Sequence, residues 1–333
     1  MPNLKSMVST SVGEFGLDQL RRIRRRWRTL RRSMQRPVDS TRLEVQLREA
    51  GLMPGDTVMV HSSLARLGNV RGGTQAVIQA LQRTVGPEGT IMMPAFIPAE
   101  EAFRRASMGS PIDLRTERSL QGAISESFRL LPGVMRSSHP FSSVCAWGRN
   151  ASFVTNGHHR DSRICHIESP IGRLLQLEGK VLGLGVDMGP VSFYHVIEDT
   201  WDRFPFNTYD DPRLIAYIDP TGALVERPVR YYSANLARNR IDAYSHLWIR
   251  QRITEFLDSR CQRHEFRFGH GRAWIIPATR FAEGLKSLAE RQITIYLDKE
   301  QWERLGQPAF CEEMTDRSEK STQSLRRLRR GAG

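Results

Sequence analysis

The stretch from residue 56 to 96 restricts the fold more than any other part of the chain. DTVMV (56–60) reads as a buried strand, GGTQAVIQALQRTVG (72–86) as a helix entered by glycines and closed by Gly-Pro, and GTIMMPAF (89–96) as a second strand. Strand, helix and strand in about forty residues make a parallel crossover unit, since antiparallel neighbours are joined by short turns and parallel ones need a long connection. KVLGLGV (180–186), followed by a loop and the helix VSFYHVIEDTWD, repeats the pattern. The expectation is an α/β fold with a mostly parallel central sheet flanked by helices. RLIAYIDPTGALVERPVRYY (213–232) departs from it: two β-rich runs about DPTG predict a hairpin, so an antiparallel portion adjoins the parallel one. Two helices over 233–263, the strand RAWIIPA, and a last helix and strand around LKSLAERQITIYL complete the reading.

Charge separates the ends from this body. Of the net +13, residues 1–40 carry +7 and residues 315–333 carry +4, leaving +2 for residues 41–314. Three parts follow: a basic N-terminal helical extension (1–40), a nearly neutral domain (41–314) and a basic, polar, flexible tail (315–333). Leu20, Ile23, Trp27 and Leu30 make a narrow apolar stripe on an Arg-rich helix. That stripe suits either a contact with an anionic membrane surface or simple packing on the chain's own domain. The body lacks a basic stripe interleaved with stacking aromatics, so no nucleic-acid partner is expected. The absence of a long apolar run and of a secretory signal pattern makes a cytoplasmic protein the expectation, associated with the membrane only if the Arg-rich helix binds there. Cys145, Cys165, Cys261 and Cys311 are far apart, which fits reduced, packed thiols better than a zinc site or disulfide frame.

Three segments carry candidate chemistry. VHSSLARLGNVRGG, with His61 at its start and Gly73 at its end, leaves the carboxyl end of a strand and enters a helix. In open α/β sheets ligands bind there, and helix N-terminal N–H groups favour phosphate; without a Gly-Lys-Ser/Thr ending, an ordinary strand-to-helix turn is the competing reading. RSSHPFSSVCAWG offers Arg136, His139 and two serine pairs, with Arg136 suited to a bidentate phosphate contact or to a surface ion pair. SFYHVIEDTW places His195 and Glu198 three apart on a helix after the third strand. A carboxylate one turn on can hold an imidazole by one nitrogen and raise its basicity while the other faces a substrate. A buried histidine merely satisfied by its neighbour has the same spacing. No HxxxH or second carboxylate cluster lies nearby, so no metal is expected.

Taken together and in this order, PGDTVMVHSSLARLGNVRGG, GPEGTIMMPAF, RSSHPFSSVCAWG, ESPIGRLLQLEGKVLGLGVD and SFYHVIED resemble the aminoglycoside 3-N-acetyltransferase family, an antibiotic N-acetyltransferase group distinct from the GNAT enzymes. The resemblance is close over about residues 45–205 and looser elsewhere. It implies an α/β acetyltransferase using acetyl-coenzyme A (acetyl-CoA), with residues 41–314 as the acetyltransferase domain. On this likeness His61, Ser62, Ser63, Leu64, Gly72 and Gly73 lie along the coenzyme's pantetheine and pyrophosphate, Arg136, Ser137 and His139 form a second coenzyme-facing loop, and Ser169 adds a contact. His195 and Glu198 match the family's catalytic His-x-x-Glu, giving a general base for direct transfer to a small-molecule amine.

The departures from the pattern bear on the acceptor. Family members acting on polycationic drugs line the cleft with acidic residues; here Glu100 and Glu101 are followed at once by Arg104 and Arg105. Asp187, Asp199 and Asp202 are further candidates to reach the acceptor amine. Together with the basic extension, this favours an amino sugar linked to a nucleotide, lipid or polysaccharide over an aminoglycoside antibiotic. A non-catalytic nucleic-acid- or membrane-binding module is the remaining alternative.

Overall fold

The computed structural model describes residues 34–237 and 247–296. The Arg-rich helix expected before residue 34, the tail after residue 314 and Cys311 lie outside the described residues. In chain order the elements are α1 (Ser40–Glu49), β1 (Thr57–Ser62), α2 (Gly73–Val85), β2 (Thr90–Pro94), α3 (Ala99–Ser107), β3 (Ile112–Asp113), α4 (Ala123–Arg129), β4 (Met135–Arg136), β5 (Val144–Gly148), α5 (Ala151–Thr155), α6 (Pro170–Gln176) and β6 (Lys180–Leu184). They continue with α7 (Val196–Thr200), β7 (Arg213–Ile218), β8 (Leu224–Val229), α8 (Ala234–Ala237), α9 (Leu247–Arg260), β9 (His264–Phe268), β10 (Gly271–Pro277) and α10 (Ala278–Glu290).

Local chemistry sets the boundaries that matter for the site. The Asp39 carboxylate accepts from the Arg42 amide at 2.9 Å and starts α1. Gly72 and Gly73 turn the chain into α2 at φ 84° and 58°, two successive left-handed residues that favour glycine at both positions. At α6 the Ser169 hydroxyl accepts from the Gly172 amide at 3.1 Å, with Pro170 in the first helical turn.

A seven-stranded sheet runs in the order β4-β5-β2-β1-β6-β10-β9, and a second sheet in the order β3-β7-β8. The expected crossover is present: β1 pairs in parallel with both β2 and β6. The parallel part is narrower than the sequence suggests, because β5, β4, β10 and β9 add antiparallel partners on either side. The result is a large mixed sheet flanked by helices. The hairpin around DPTG forms as β7 and β8, with β3 parallel to β7 in the separate sheet. Of the strand expected at ITIYL, the described part, Ile293–Tyr296, follows α10 as turn and coil, with Ile293, Ile295 and Tyr296 buried.

Alternation along the central strands divides the core in two. Val58, Val60, Ile91, Met93, Leu182 and Leu184 face α1, α2 and α4. Met59, Met92 and Val181 face the opposite side, with α6, α7, α10 and the hairpin. His61 continues the Met59 side of β1, so the strand delivers an imidazole where its apolar face ends. Trp274 on β10 pairs across from Gly183 on β6, and its indole N–H donates to the Val186 carbonyl at 2.9 Å. A Cβ at Gly183 would stand 2.2 Å from the Trp274 ring, so glycine there is a packing requirement. Gly183→Ala is expected to cost about 2 kcal/mol by overpacking and to lower Tm by roughly 5 °C. An unchanged melting curve would mean the indole is not seated on β6.

Candidate active site

A cleft of about 290 Å³ opens where β1, β2 and β6 end, at the carboxyl edge expected to bind ligands in such sheets. His61 from β1, Phe96–Glu100 after β2 and Gly189–Ser192 after β6 form three of its walls. Tyr231 and Tyr232 after β8, Ile164 and Cys165, Pro170 and Ile171 at the start of α6, and Ile295 after α10 complete much of the lining.

His195 ends a 3-10 turn (Ser192–His195) that runs straight into α7. The two short helices place Glu198 one turn on, and its Oε1 lies 3.0 Å from the His195 Nδ1. A carboxylate only accepts, so Nδ1 is the donor to it, and in the neutral ring Nε2 is then the nitrogen with the lone pair. The Glu198 side chain is 1% exposed and that of His195 10%. Tyr232 stacks on the imidazole at 4.4 Å, and Tyr209 stacks on Tyr232 at 4.8 Å. The Tyr296 hydroxyl closes the arrangement, 3.2 Å from Nδ1 and donating to Glu198 Oε2 at 3.1 Å. The ring is thus held on one nitrogen and on one face, and His195 is among the residues that line the cleft.

Several polar groups at this end of the sheet have no protein partner. His61 Nε2, Ser192 Oγ and Tyr194 Oη are buried without a hydrogen bond among the described residues, and all three residues line the cleft. Ser62 Oγ, on the other side of β1, is likewise unpartnered. Burial lowers the His61 pKa to about 4, so its ring is neutral at physiological pH and keeps one donor and one acceptor. Buried polar atoms of this kind are costly unless a bound molecule or water completes them. Cys165 also lines the cleft, but burial first, and then the Asp199 and Glu198 charges, hold its thiol well above the usual range.

The other sequence candidates sort by position. Ser63, Leu64, Gly72 and Gly73 form the turn from β1 into α2 and do not line the cleft; the space above Gly73 is open, with nothing within 4 Å of a built Cβ. Arg136 is corrected to an internal anchor: its guanidinium donates to the carbonyls of Leu114, Glu117 and Ala95 and to the Ser143 hydroxyl, which leaves no fork for a phosphate. Ser137 is buried between the His158 ring and the Val144 amide. His139 lies behind the wall, its Nδ1 accepting from the Ser142 amide at 3.0 Å, and Ser169 is spent on its helix cap. Ser137 and Ser169 thus bond within the fold, while His139 Nε2, like His61 Nε2, is buried without a hydrogen bond among the described residues.

Among the acidic candidates, Glu100 lines the cleft and accepts from the Tyr231 hydroxyl at 2.7 Å. Glu101 turns to Arg104, and Asp202 is exposed outside the cleft lining. Asp187 lines a second cavity of about 450 Å³, facing Arg250 at 3.8 Å. Asp199 is buried, accepting from the Cys165 amide and the Tyr209 hydroxyl, both at 2.7 Å; burial raises its pKa to about 6. Sequence reasoning missed Tyr194, Ser192, Tyr231, Tyr232 and Tyr296. The Tyr-Tyr pair after the hairpin was a usable signal; Tyr296 lay in a run that read as a strand.

The aminoglycoside 3-N-acetyltransferase family model matches residues 59–290. The SPbeta prophage-derived aminoglycoside N(3')-acetyltransferase-like protein YokD of Bacillus subtilis (strain 168) is 36% identical over 168 residues, 46% of this chain and 61% of YokD. Aminoglycoside N(3)-acetyltransferase III of Salmonella sp is 33% identical over 182 residues, 50% of this chain and 63% of that protein. The matched region therefore spans less than two thirds of these relatives' length. Among solved structures, AAC-IIIb in a binary complex with CoASH superposes with a TM-score of 0.67 at 26% identity, covering 78% of this chain and 98% of that one. AAC-VIa bound to sisomicin gives 0.66 at 25% identity, covering 77% and 99%.

The buried histidines predict the acid response of the fold. An unfolded histidine takes a proton below about pH 6.5. Folded His61 resists until about 4, and folded His139, held down by burial and then by His166, until about 3; burial also keeps His158 well below the ordinary value. The unfolded state therefore binds more protons between those limits, and the stability present at neutral pH is lost as pH falls from 6.5 toward 4. Asp199, raised to about 6, works in the opposite sense between 6 and its unfolded value, against these histidines and His159 and His166, which burial also lowers. The urea midpoint is expected to fall from pH 7 to pH 5, by at most about 1.4 kcal/mol per histidine per pH unit. A midpoint that is flat or rises over that range would contradict the burial of these rings.

Proposed function

Because the chain belongs to the aminoglycoside 3-N-acetyltransferase family, we propose that it is an acyltransferase that moves an acetyl group from acetyl-CoA to an amino group of an amino sugar. One observation carries the reading: an imidazole whose Nδ1 is committed to a buried carboxylate and whose own residue lines a cleft at the sheet's carboxyl edge. The CoASH complex of AAC-IIIb supports the donor. The unpartnered His61, Ser192 and Tyr194 atoms support a bound ligand at this wall.

The chemistry follows from what each group can do. An amine is mostly protonated near neutral pH and must lose a proton to attack. His195 Nε2 takes that proton while the Glu198 carboxylate stabilises the charge that develops on the ring. The amine nitrogen bonds to the thioester carbonyl carbon, the carbon–sulfur bond breaks, the imidazolium returns its proton to the departing thiolate, and the further proton that the nitrogen sheds on becoming an amide leaves to solvent. Hydroxyl donors at Ser192 and Tyr194, and the neutral His61 ring, are the groups available to a carbonyl oxygen gaining negative charge. Transfer is direct. Cys165 would be the obvious covalent alternative, but its burial keeps it a thiol, and the thiolate is the nucleophile.

For the acceptor we propose an amino sugar carried on a nucleotide, a lipid or a polysaccharide. Of the acidic side chains that would receive a polycation, Glu100 lines the cleft and is already bonded to Tyr231, whereas Glu101 is paired with Arg104. An aminoglycoside acceptor is the second reading, supported by the sisomicin complex of AAC-VIa.

A free-thiol assay with acetyl-CoA across nucleotide-linked amino sugars and aminoglycosides tests both parts. His195→Ala is expected to lower kcat by at least about 100-fold without loss of folding. Activity that survives this change would remove the general base. Turnover of aminoglycosides alone would replace the first acceptor reading by the second.

A further inference from the structure

Tyr296 lies six residues beyond the region matched by the family model, which ends at residue 290. It nevertheless contacts both members of the His195–Glu198 pair. Its hydroxyl donates to Glu198 Oε2 at 3.1 Å and stands 3.2 Å from His195 Nδ1. Glu198 Oε1 is 3.0 Å from the same Nδ1. Resting on the reading above, we propose that Tyr296 is a positioning residue for the reaction: it locks the Glu198 carboxylate so that the catalytic imidazole keeps its Nδ1–H tautomer and presents Nε2 to the cleft.

Hydrogen-bond chemistry supports the assignment. A carboxylate on a short helix can rotate about its own bonds, and with one oxygen unbonded it would lose registry with the ring. Oε2 has its donor in Tyr296, which frees Oε1 for Nδ1–H. The tyrosine oxygen, having given its proton to Oε2, offers a lone pair toward the same Nδ1–H, so three groups close a ring of mutually consistent bonds. Without the Tyr296 hydroxyl, Oε2 would be a buried acceptor with no donor among the described residues, in a site where the Glu198 side chain is 1% exposed.

The segment is built to hold that oxygen in place. Ile293, Ile295 and Tyr296 are buried, Ile295 lines the cleft, and the Phe206 ring meets the Tyr296 ring edge-on at 6.0 Å. Thr294 caps the turn, its hydroxyl accepting from the Tyr296 amide at 3.3 Å. The ordinary apolar role of a tyrosine at this position would be met equally well by phenylalanine. The hydroxyl is what the proposal concerns.

Tyr296→Phe keeps the ring and removes the one oxygen. In the full-length protein, kcat is expected to fall about tenfold, with KM for acetyl-CoA and for the amine within about twofold of wild type. With ¹⁵N-histidine labelling, the Nδ1–H resonance of His195 in the resting protein is expected to broaden through faster exchange with solvent, while Tm falls by only a few degrees because Oε2 loses its donor, and the protein stays folded at the assay temperature. An unchanged resonance overturns the proposal whatever the activity does, as does a variant with wild-type kcat. A wild-type protein that acetylates none of the amines would instead count against the proposed function, and the resonance would still decide the role of Tyr296.

Discussion

The site depends on one carboxylate that has been taken out of water. Glu198 is buried, and a buried acid is tolerated only if its oxygens are bonded. His195 supplies one partner and Tyr296 the other. Satisfying Glu198 is therefore the same act as orienting His195. Flipping the imidazole would leave Oε1 without its Nδ1 donor, and the stack on Tyr232 holds the plane of the ring. What would be a stability cost in an ordinary core is what aims the free nitrogen at the cleft.

The sheet explains why that nitrogen meets anything. The parallel pairing of β1 with β2 and β6 brings three chain crossings to one edge. Each crossing contributes a different kind of surface. β1 ends in the neutral His61, the loop after β2 gives Phe96, Ile97 and Glu100, and the loop after β6 gives Ser192 and Tyr194 before delivering His195. The antiparallel flank brings the start of β5 to this edge with Phe141, Ser142 and Val144, and the hairpin supplies Tyr231 and Tyr232 just after β8. Charge is sparse here, with Glu100 the acidic side chain open to the cleft. The arginine-rich cavity lies on the other side of the loop after β6, where Arg66, Arg250, Arg263 and Arg272 face Asp187, Glu255 and Glu265.

Much of this was readable in the sequence, for physical reasons that differ from element to element. The crossover unit announced itself because buried strands are apolar on both faces and helices carry their own caps and glycines. His195 and Glu198 were legible because a helix fixes what lies three residues apart. Arg136 was misread because an arginine in a loop looks the same whether its guanidinium meets a phosphate or three backbone carbonyls; the carbonyls that claim it belong to residues 95, 114 and 117, far from it in the chain. Ser137 bonds the distant His158 ring, which local spacing does not reveal, whereas His139 and Ser169 accept from nearby amides. Tyr296 was invisible for the converse reason: ITIYL has the composition of a strand, and only the packing after α10 turns its last tyrosine toward Glu198.

The central claim is that the free nitrogen of His195 receives the proton of the acceptor amine. A crystal structure of the protein with an unreactive acetyl-CoA analogue and an amine acceptor tests it most directly. The account predicts the acceptor nitrogen at about 3 Å from His195 Nε2, with Nδ1 still on Glu198. An acceptor nitrogen bonded to some other side chain, with Nε2 facing neither the amine nor a water that bridges to it, would contradict the account.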